Sequence, residues 1–154
     1  MSQSPAILLV PVDGSEGASK AVRYAGGLAQ RLDLPLRFLF VFPDDPVDMF
    51  GIPTEDPRAE ELEYFSPDAF NKLRNRTAEK NFAAAREALG RMDVTIEEVT
   101  LSGAPAEAIV EHARETEDPM IIIGSRGMGG LKSLLIGSVS QRVLHHAPCP
   151  VTVV

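Results

Sequence analysis

The residues able to do chemistry in this 154-residue chain gather in two short stretches. The longer runs Gly124-Ser125-Arg126-Gly127-Met128-Gly129-Gly130-Leu131-Lys132-Ser133-Leu134-Leu135-Ile136-Gly137-Ser138. Glycine admits positive φ and lets a ligand approach the backbone closely. Gly137-Ser138 stands where a helical pattern begins. Free N–H groups and the positive dipole end at such a start suit a phosphate. The hydroxyls of Ser125, Ser138 and Ser140 and the charges of Arg126 and Lys132 are further donors to an anion. The stretch is not a Walker A motif, because Leu131 separates Gly130 from Lys132. Nor is it Gly-x-Gly-x-x-Gly: Gly127 and Gly129 fit, but Lys132 takes the third glycine's place. Composition alone leaves a plain surface loop with several turns as an equal alternative.

The second stretch is Asp13-Gly14-Ser15. Asp13 is either a buried acceptor for a ligand donor or the cap of its own turn. One carboxylate is not a catalytic dyad. His145-His146 offers ring nitrogens, but histidines are ordinary at a helix C-terminus and adjacent residues do not share a helix face. No metal site is expected there. Cys149, the single cysteine, opens an apolar run and reads as a small core residue rather than a nucleophile. No Ser-His-Asp or Cys-His arrangement follows from the spacing.

These residues need elements to position them. Ile7 to Val12 is a continuous apolar run, the pattern of a strand covered on both faces. Ser15 is a fair N-cap, and Ala18, Ala21, Val22, Ala25, Leu28, Ala29 and Leu32 keep helical spacing. Gly26 and Gly27 weaken that helix, and close packing on the sheet is one reason to place them there. Leu36 to Phe42 is a second buried strand. Ser66-Pro67-Asp68 opens a helix that Gly90 ends. Val94 to Leu101 alternates, as an edge strand half open to water does. Gly103-Ala104-Pro105 opens a third helix to about Thr116, and Met120 to Ile123 is a strand. A last helix over Ser138 to His146, stopped by Pro148, leads to a final strand, Pro150 to Val154. Alternating strands and helices imply right-handed crossovers and a parallel sheet covered on both faces. Ligands in such a sheet sit beyond the strands' carboxyl ends, where the strand order reverses.

Composition bounds the function. The apolar share of 44% and charged share of 24% are those of a globular domain, so disorder of the whole chain is excluded. No apolar run approaches a membrane span. The N-terminus has neither a basic nor an apolar signal region, and one cysteine forms no internal disulfide. The cytoplasm is the expected compartment. The net charge of −7 is local. Residues 43–68 hold nine acids against one base, Arg58, and the remainder is nearly balanced. No basic stripe suits nucleic acid, and an aromatic share of 6% without tryptophan argues against a base-stacking platform. The acidic, proline-rich segment 43–67 reads as a long loop, either a mobile lid or a partner surface.

Gly124-x2-Gly127-x9-Gly137-Ser138 resembles the Gly-x2-Gly-x9-Gly-Ser/Thr motif of the ATP-binding universal stress proteins. Ile7 to Ser15 is similar to that family's first strand and Val-Asp-Gly-Ser turn. Gly103-Ala104-Pro105 with Ile109 resembles its Gly-x-Pro-x3-Ile helix start, and Cys149-Pro150-Val151 its carboxyl end. The likeness covers almost the whole chain as a single domain, residues 1–154, with the acidic loop its least typical part.

The resemblance implies a Rossmann-like, adenine-nucleotide alpha-hydrolase-like fold. This is an open five-stranded parallel sheet of order 3-2-1-4-5, with helices on both faces. It implies that Asp13 binds adenosine, that the Val41 backbone meets adenine, and that Pro11 and Val12 line the same edge. Gly124 and Gly127, with Ser125 and Arg126 between them, would lie beside ribose and phosphate. Gly137, Ser138 and Val139 would donate to the outer phosphates. The implied cofactor is ATP with Mg²⁺, the ion held mostly by phosphates and water because the glycine stretch has no carboxylate.

The expected function is a nucleotide-dependent regulatory module of the stress response, with a regulatory protein partner. The alternative is a slow ATPase or phosphotransferase using the same site. No general base near the terminal phosphate is evident, which favours binding over catalysis. The uncharged edge strand Val151 to Val154 is expected to join two chains into a homodimer.

Overall fold

The computed structural model describes residues 4–50, 63–127 and 136–154. In chain order the elements are β1 (Ile7–Pro11), α1 (Glu16–Leu32), β2 (Leu36–Phe42), α2 (Pro46–Phe50) and α3 (Pro67–Leu89). They continue as β3 (Ile96–Ser102), α4 (Pro105–Glu115), β4 (Pro119–Ile123), α5 (Ser138–His146) and β5 (Val151–Val153). The strands form one sheet of order β3-β2-β1-β4-β5, and every neighbouring pair is parallel. The order reverses between β1 and β4, which opens a crevice at their carboxyl ends.

The apolar runs fill two cores, because successive strand residues point to opposite faces. Leu8, Val10, Leu36, Phe38, Phe40 and Phe42 face α1 and α3. Ile7, Leu9, Leu39, Ile121 and Ile123 face α4 and α5. Phe40 packs edge-on against Phe82 of α3, ring centroids 6.3 Å apart. β3 is half open, as its alternation predicts. Its Glu97 pairs with Arg37 of β2 at 2.7 Å, and its Glu98 pairs with Arg86 of α3.

Two expectations are corrected. The acidic segment is not loop throughout, since Pro46–Phe50 is helical. The Asp45 carboxylate accepts from the Asp48 N–H at 2.9 Å, and a proline suits the first helical position. Five residues are too few to display a helical period. Residues 51–62, part of the segment 43–67 read as a lid or partner surface, lie outside the described residues. The glycine pair of α1 does not serve packing on the sheet. A Cβ at Gly26 would stand 2.5 Å from Leu89 Cδ1 and 2.7 Å from Met92 Sδ, so this glycine admits the end of α3. A Cβ at Gly27 would meet nothing.

Candidate functional site

β1 ends at Pro11, and the chain turns through Asp13 and Gly14 into α1. Gly14 takes φ +80°, and a Cβ there would stand 2.5 Å from Asn81 Oδ1; both facts demand glycine. The turn is held by Asp13 Oδ1, which accepts the Ser15 N–H at 2.9 Å. Ser15 then caps α1, its Oγ accepting from the Ala18 N–H at 3.1 Å. Of the two readings of Asp13, the cap of its own turn is the one seen; the carboxylate is exposed rather than buried, at the open rim of the crevice.

On the other side of the crevice β4 runs into Gly124. The Ser125 N–H donates to Val154 O at 2.9 Å, and Ser125 O accepts the Gly137 N–H at 2.5 Å. The buried Ser140 hydroxyl donates to Gly124 O at 2.6 Å. These bonds tie the start of α5 and the end of β5 to the loop after β4. A Cβ at Gly124 would stand 2.6 Å from the carbonyl oxygen of Gly17 in the first turn of α1, and a Cβ at Gly17 would overlap the carbonyl oxygen of Arg126. Thus α1 lies directly on the loop. A Cβ at Gly127 would stand 2.8 Å from Asp13 Oδ2, so that glycine leaves the second carboxylate oxygen room.

Between these walls lies a cavity of about 470 Å³. Pro11, Val12, Asp13, Val41, Gly124, Arg126, Gly127, Gly137, Ser138 and Val139 all line it, while Ser125 does not. Its backbone is the strut just described. Lys132 lies outside the described residues.

Sequence reasoning missed Ser15, Ala18, Leu39, Pro105 and Ile109, which also line the cavity. Gly17, missed too, had a legible signal: a glycine in the first turn of a helix has no local reason to be there. Pro105 and Ile109 lie in the first turns of α4, Ser15 and Ala18 at the start of α1, and Ser138 and Val139 at the start of α5. Three helix N-termini therefore face one cavity. A helix start carries roughly half a positive charge; the free N–H groups are fewest at α4, whose Pro105 has none, and at α1, whose Ala18 N–H is taken by Ser15 Oγ. Asp13 and Arg126 are the only ionisable side chains among the described lining residues and offset one another. The remaining walls are largely apolar. The cavity combines an apolar floor under β2 and α4 with a field that favours anions.

The other candidates stay apart from it. Burial raises the Cys149 thiol pKa, partly countered by a backbone hydrogen bond with Ile121. The side chain packs against the second core and is a poor nucleophile. His145 and His146 are exposed, their ring centroids 6.5 Å apart. Among the described residues, no group of three or more His, Cys, Asp or Glu gathers to hold a metal. No helix among them is long and apolar enough to cross a membrane.

The profile of the universal stress protein family matches residues 6–154. A universal stress protein of Thermus aquaticus is 32% identical over 148 residues, covering 96% of each chain. Universal stress protein YxiE of Bacillus subtilis is 30% identical over 150 residues, 96% of this chain and 97% of its own. Among solved structures, a universal stress protein in complex with cAMP superimposes with a TM-score of 0.63 at 26% identity, covering 99% of this chain and 98% of the other. By sequence over almost its full length, and by the fold built above, this chain belongs to the universal stress protein family.

Proposed function

We propose that the cavity binds ATP and that the protein is a nucleotide-dependent regulatory module of the stress response, acting in the cytoplasm through a regulatory protein partner and as a homodimer. The observation that carries the reading is the convergence of the α1, α4 and α5 N-termini on a cavity with an apolar floor. An apolar floor suits a purine, and helix starts suit phosphates. Val41, Leu39, Pro105 and Ile109 form the apolar part. Asp13 Oδ2 is free to accept from a ribose hydroxyl. Gly137, Ser138 and Val139 present backbone donors to the outer phosphates. Mg²⁺ would enter with the nucleotide, held by phosphates and water. Asp13 is the only carboxylate among the described lining residues, too few for a protein cage.

Two other ligand chemistries compete. The solved relative with cAMP favours a cyclic nucleotide. A cyclic phosphate carries one negative charge and does not extend along three helix starts, so the longer anion fits this field better. Slow hydrolysis or phosphoryl transfer needs an in-line nucleophile and a base, and Asp13 stands at the nucleoside end.

Calorimetry with ATP, ADP, AMP, adenosine and cAMP in Mg²⁺ tests the reading. Affinity should fall as phosphates are removed. Tighter binding of cAMP than ATP would overturn it. A phosphate-release assay should give turnover too slow to matter, and steady multiple turnover would favour the enzyme alternative.

A further inference from the structure

The molecule has two buried polar side chains among its described residues, Ser15 and Ser140, at 8% and 4% exposure. Both line the cavity. Their hydrogen bonds differ. Ser140 uses its hydroxyl hydrogen on Gly124 O at 2.6 Å. Ser15 uses only its oxygen, as acceptor from the Ala18 N–H. Its backbone is also engaged, the N–H with Asp13 Oδ1 and the carbonyl with the Ser19 N–H. The Ser15 hydroxyl hydrogen has no acceptor among the described residues. Ser15 lines the cavity, so its hydroxyl hydrogen can turn to an acceptor held there.

We propose that Ser15 donates its hydroxyl hydrogen to a phosphate oxygen of the bound nucleotide, which makes it a binding residue for the ligand as well as the cap of α1. The inference rests on the nucleotide reading above and adds to it a contact on the β1 side of the crevice. Three features select a phosphate as the acceptor. The α1 N-terminus favours an anion. Asp13 Oδ2, two residues away, calls for a donor and so suits ribose, which places the phosphate attached to that ribose near Ser15. Arg126 also lines the cavity, has no ion pair among the described residues and offsets the Asp13 charge. The two buried serines then divide the work: Ser140 fixes the loop, and Ser15 meets the ligand.

The test separates the cap from the contact. Ser15→Asp keeps a good N-cap but replaces the donor by an anion. Ser15→Ala removes both functions. Adenosine, which has no phosphate, is the reference ligand. In Ser15→Asp, ATP affinity should fall by at least about 10- to 100-fold, because a hydrogen bond to a charged group is lost and an anion takes its place, with adenosine affinity changed less than about threefold. Ser15→Ala should show the same selective loss and melt about 2–4 °C lower from the missing cap. Should Ser15→Ala fail to fold, Ser15→Gly, which keeps most of the cap and carries neither hydroxyl nor charge, should show the same selective loss. Unchanged ATP affinity in Ser15→Asp, or equal losses for adenosine and ATP, would overturn the contact while leaving nucleotide binding intact. Wild-type protein that binds neither ligand would overturn the nucleotide reading itself, and the contact with it.

Discussion

Gly17 and Gly124 meet backbone to backbone across the switch point of the sheet. Each lacks the Cβ that would strike the other's segment: 2.6 Å from Gly17 O in one direction, onto Arg126 O in the other. The relationship sets how closely α1 approaches the loop after β4, and hence the width of the crevice. Gly124 reads as a ligand glycine in the sequence; its nearest steric reason is this contact within the fold.

A contrast between two glycines follows. Gly124→Ala forces backbone against backbone and should destabilise the protein by about 1–3 kcal/mol, measured by urea unfolding. Gly137 sits at φ −70°, open to any residue, and a Cβ there stands 3.4 Å from Ser125 O, an ordinary contact. Gly137→Val should therefore still fold, with a loss of about 1–2 kcal/mol because valine is a poor N-cap, yet lower ATP affinity at least about tenfold by crowding the α5 start. Equal ATP affinity for wild type and Gly137→Val by calorimetry would remove that helix start from the site.

Asp13 has two oxygens in two roles. Oδ1 holds the turn through the Ser15 N–H, and Oδ2 faces Gly127 and the cavity. Asp13→Asn can keep the turn through its amide oxygen while it weakens acceptance from a ligand hydroxyl. Nucleotide binding should weaken by about 1–3 kcal/mol, with the melting temperature nearly unchanged. Any slow turnover at saturation should persist. Turnover that vanishes with affinity intact would make Asp13 catalytic.

His112 supplies a pH dependence far from the cavity. Arg37 reaches it from β2, one guanidinium nitrogen 3.2 Å from Nε2; the same arginine pairs with Glu97. Burial lowers the His112 pKa, and the Arg37 charge lowers it further against a smaller opposing pull from Glu115. The unfolded chain therefore binds a proton more readily than the fold. Stability from neutral His112 is full above about pH 6.5 and is lost as pH falls from there through the lower folded value, at up to about 1.4 kcal/mol per pH unit. Urea midpoints measured from pH 7.5 to 5 should fall more steeply for wild type than for His112→Gln, whose amide oxygen can still accept from Arg37. Parallel curves would place the acid sensitivity elsewhere.

Much of this was legible in the sequence because its signals are strong and local. Buried runs such as Ile7 to Val12 and the caps at Ser15 and Ser66 locate elements directly, and their alternation dictates a parallel sheet. The spaced glycines then mark the crevice. What the sequence concealed depends on distant chain segments meeting. Gly17 explains itself only against Arg126 and Gly124, Gly26 only against Leu89 and Met92. Ser125 carries a hydroxyl that invites a ligand role, and the bonds its N–H and carbonyl make with Val154 and Gly137 could not be read from it. The helix Pro46–Phe50 is set by one aspartate cap, below the length at which periodicity speaks.

The edge strand β5 offers the last test. Pro150 O accepts the Ile121 N–H, Val154 N–H donates to Ile123 O, and Val154 O accepts the Ser125 N–H. In a parallel ladder, alternate residues turn their backbone groups to the same neighbour. Pro150, Thr152 and Val154 therefore face β4, and Val151 and Val153 turn their N–H and carbonyl groups to the open edge. The residues from Val151 to Val154 are all half-buried, and none carries a charge. An unguarded edge of this kind pairs readily with another strand, and two copies about a two-fold axis would pair antiparallel. Val153→Pro removes an outward N–H without touching the β4 ladder, so the monomer should stay folded while the dimer is lost. Thr152→Pro removes an inward N–H and should destabilise the fold itself. Light scattering at micromolar concentration should give a dimer for wild type and a monomer for Val153→Pro. A monomeric wild type, or a dimer that survives Val153→Pro, would place the association on another surface.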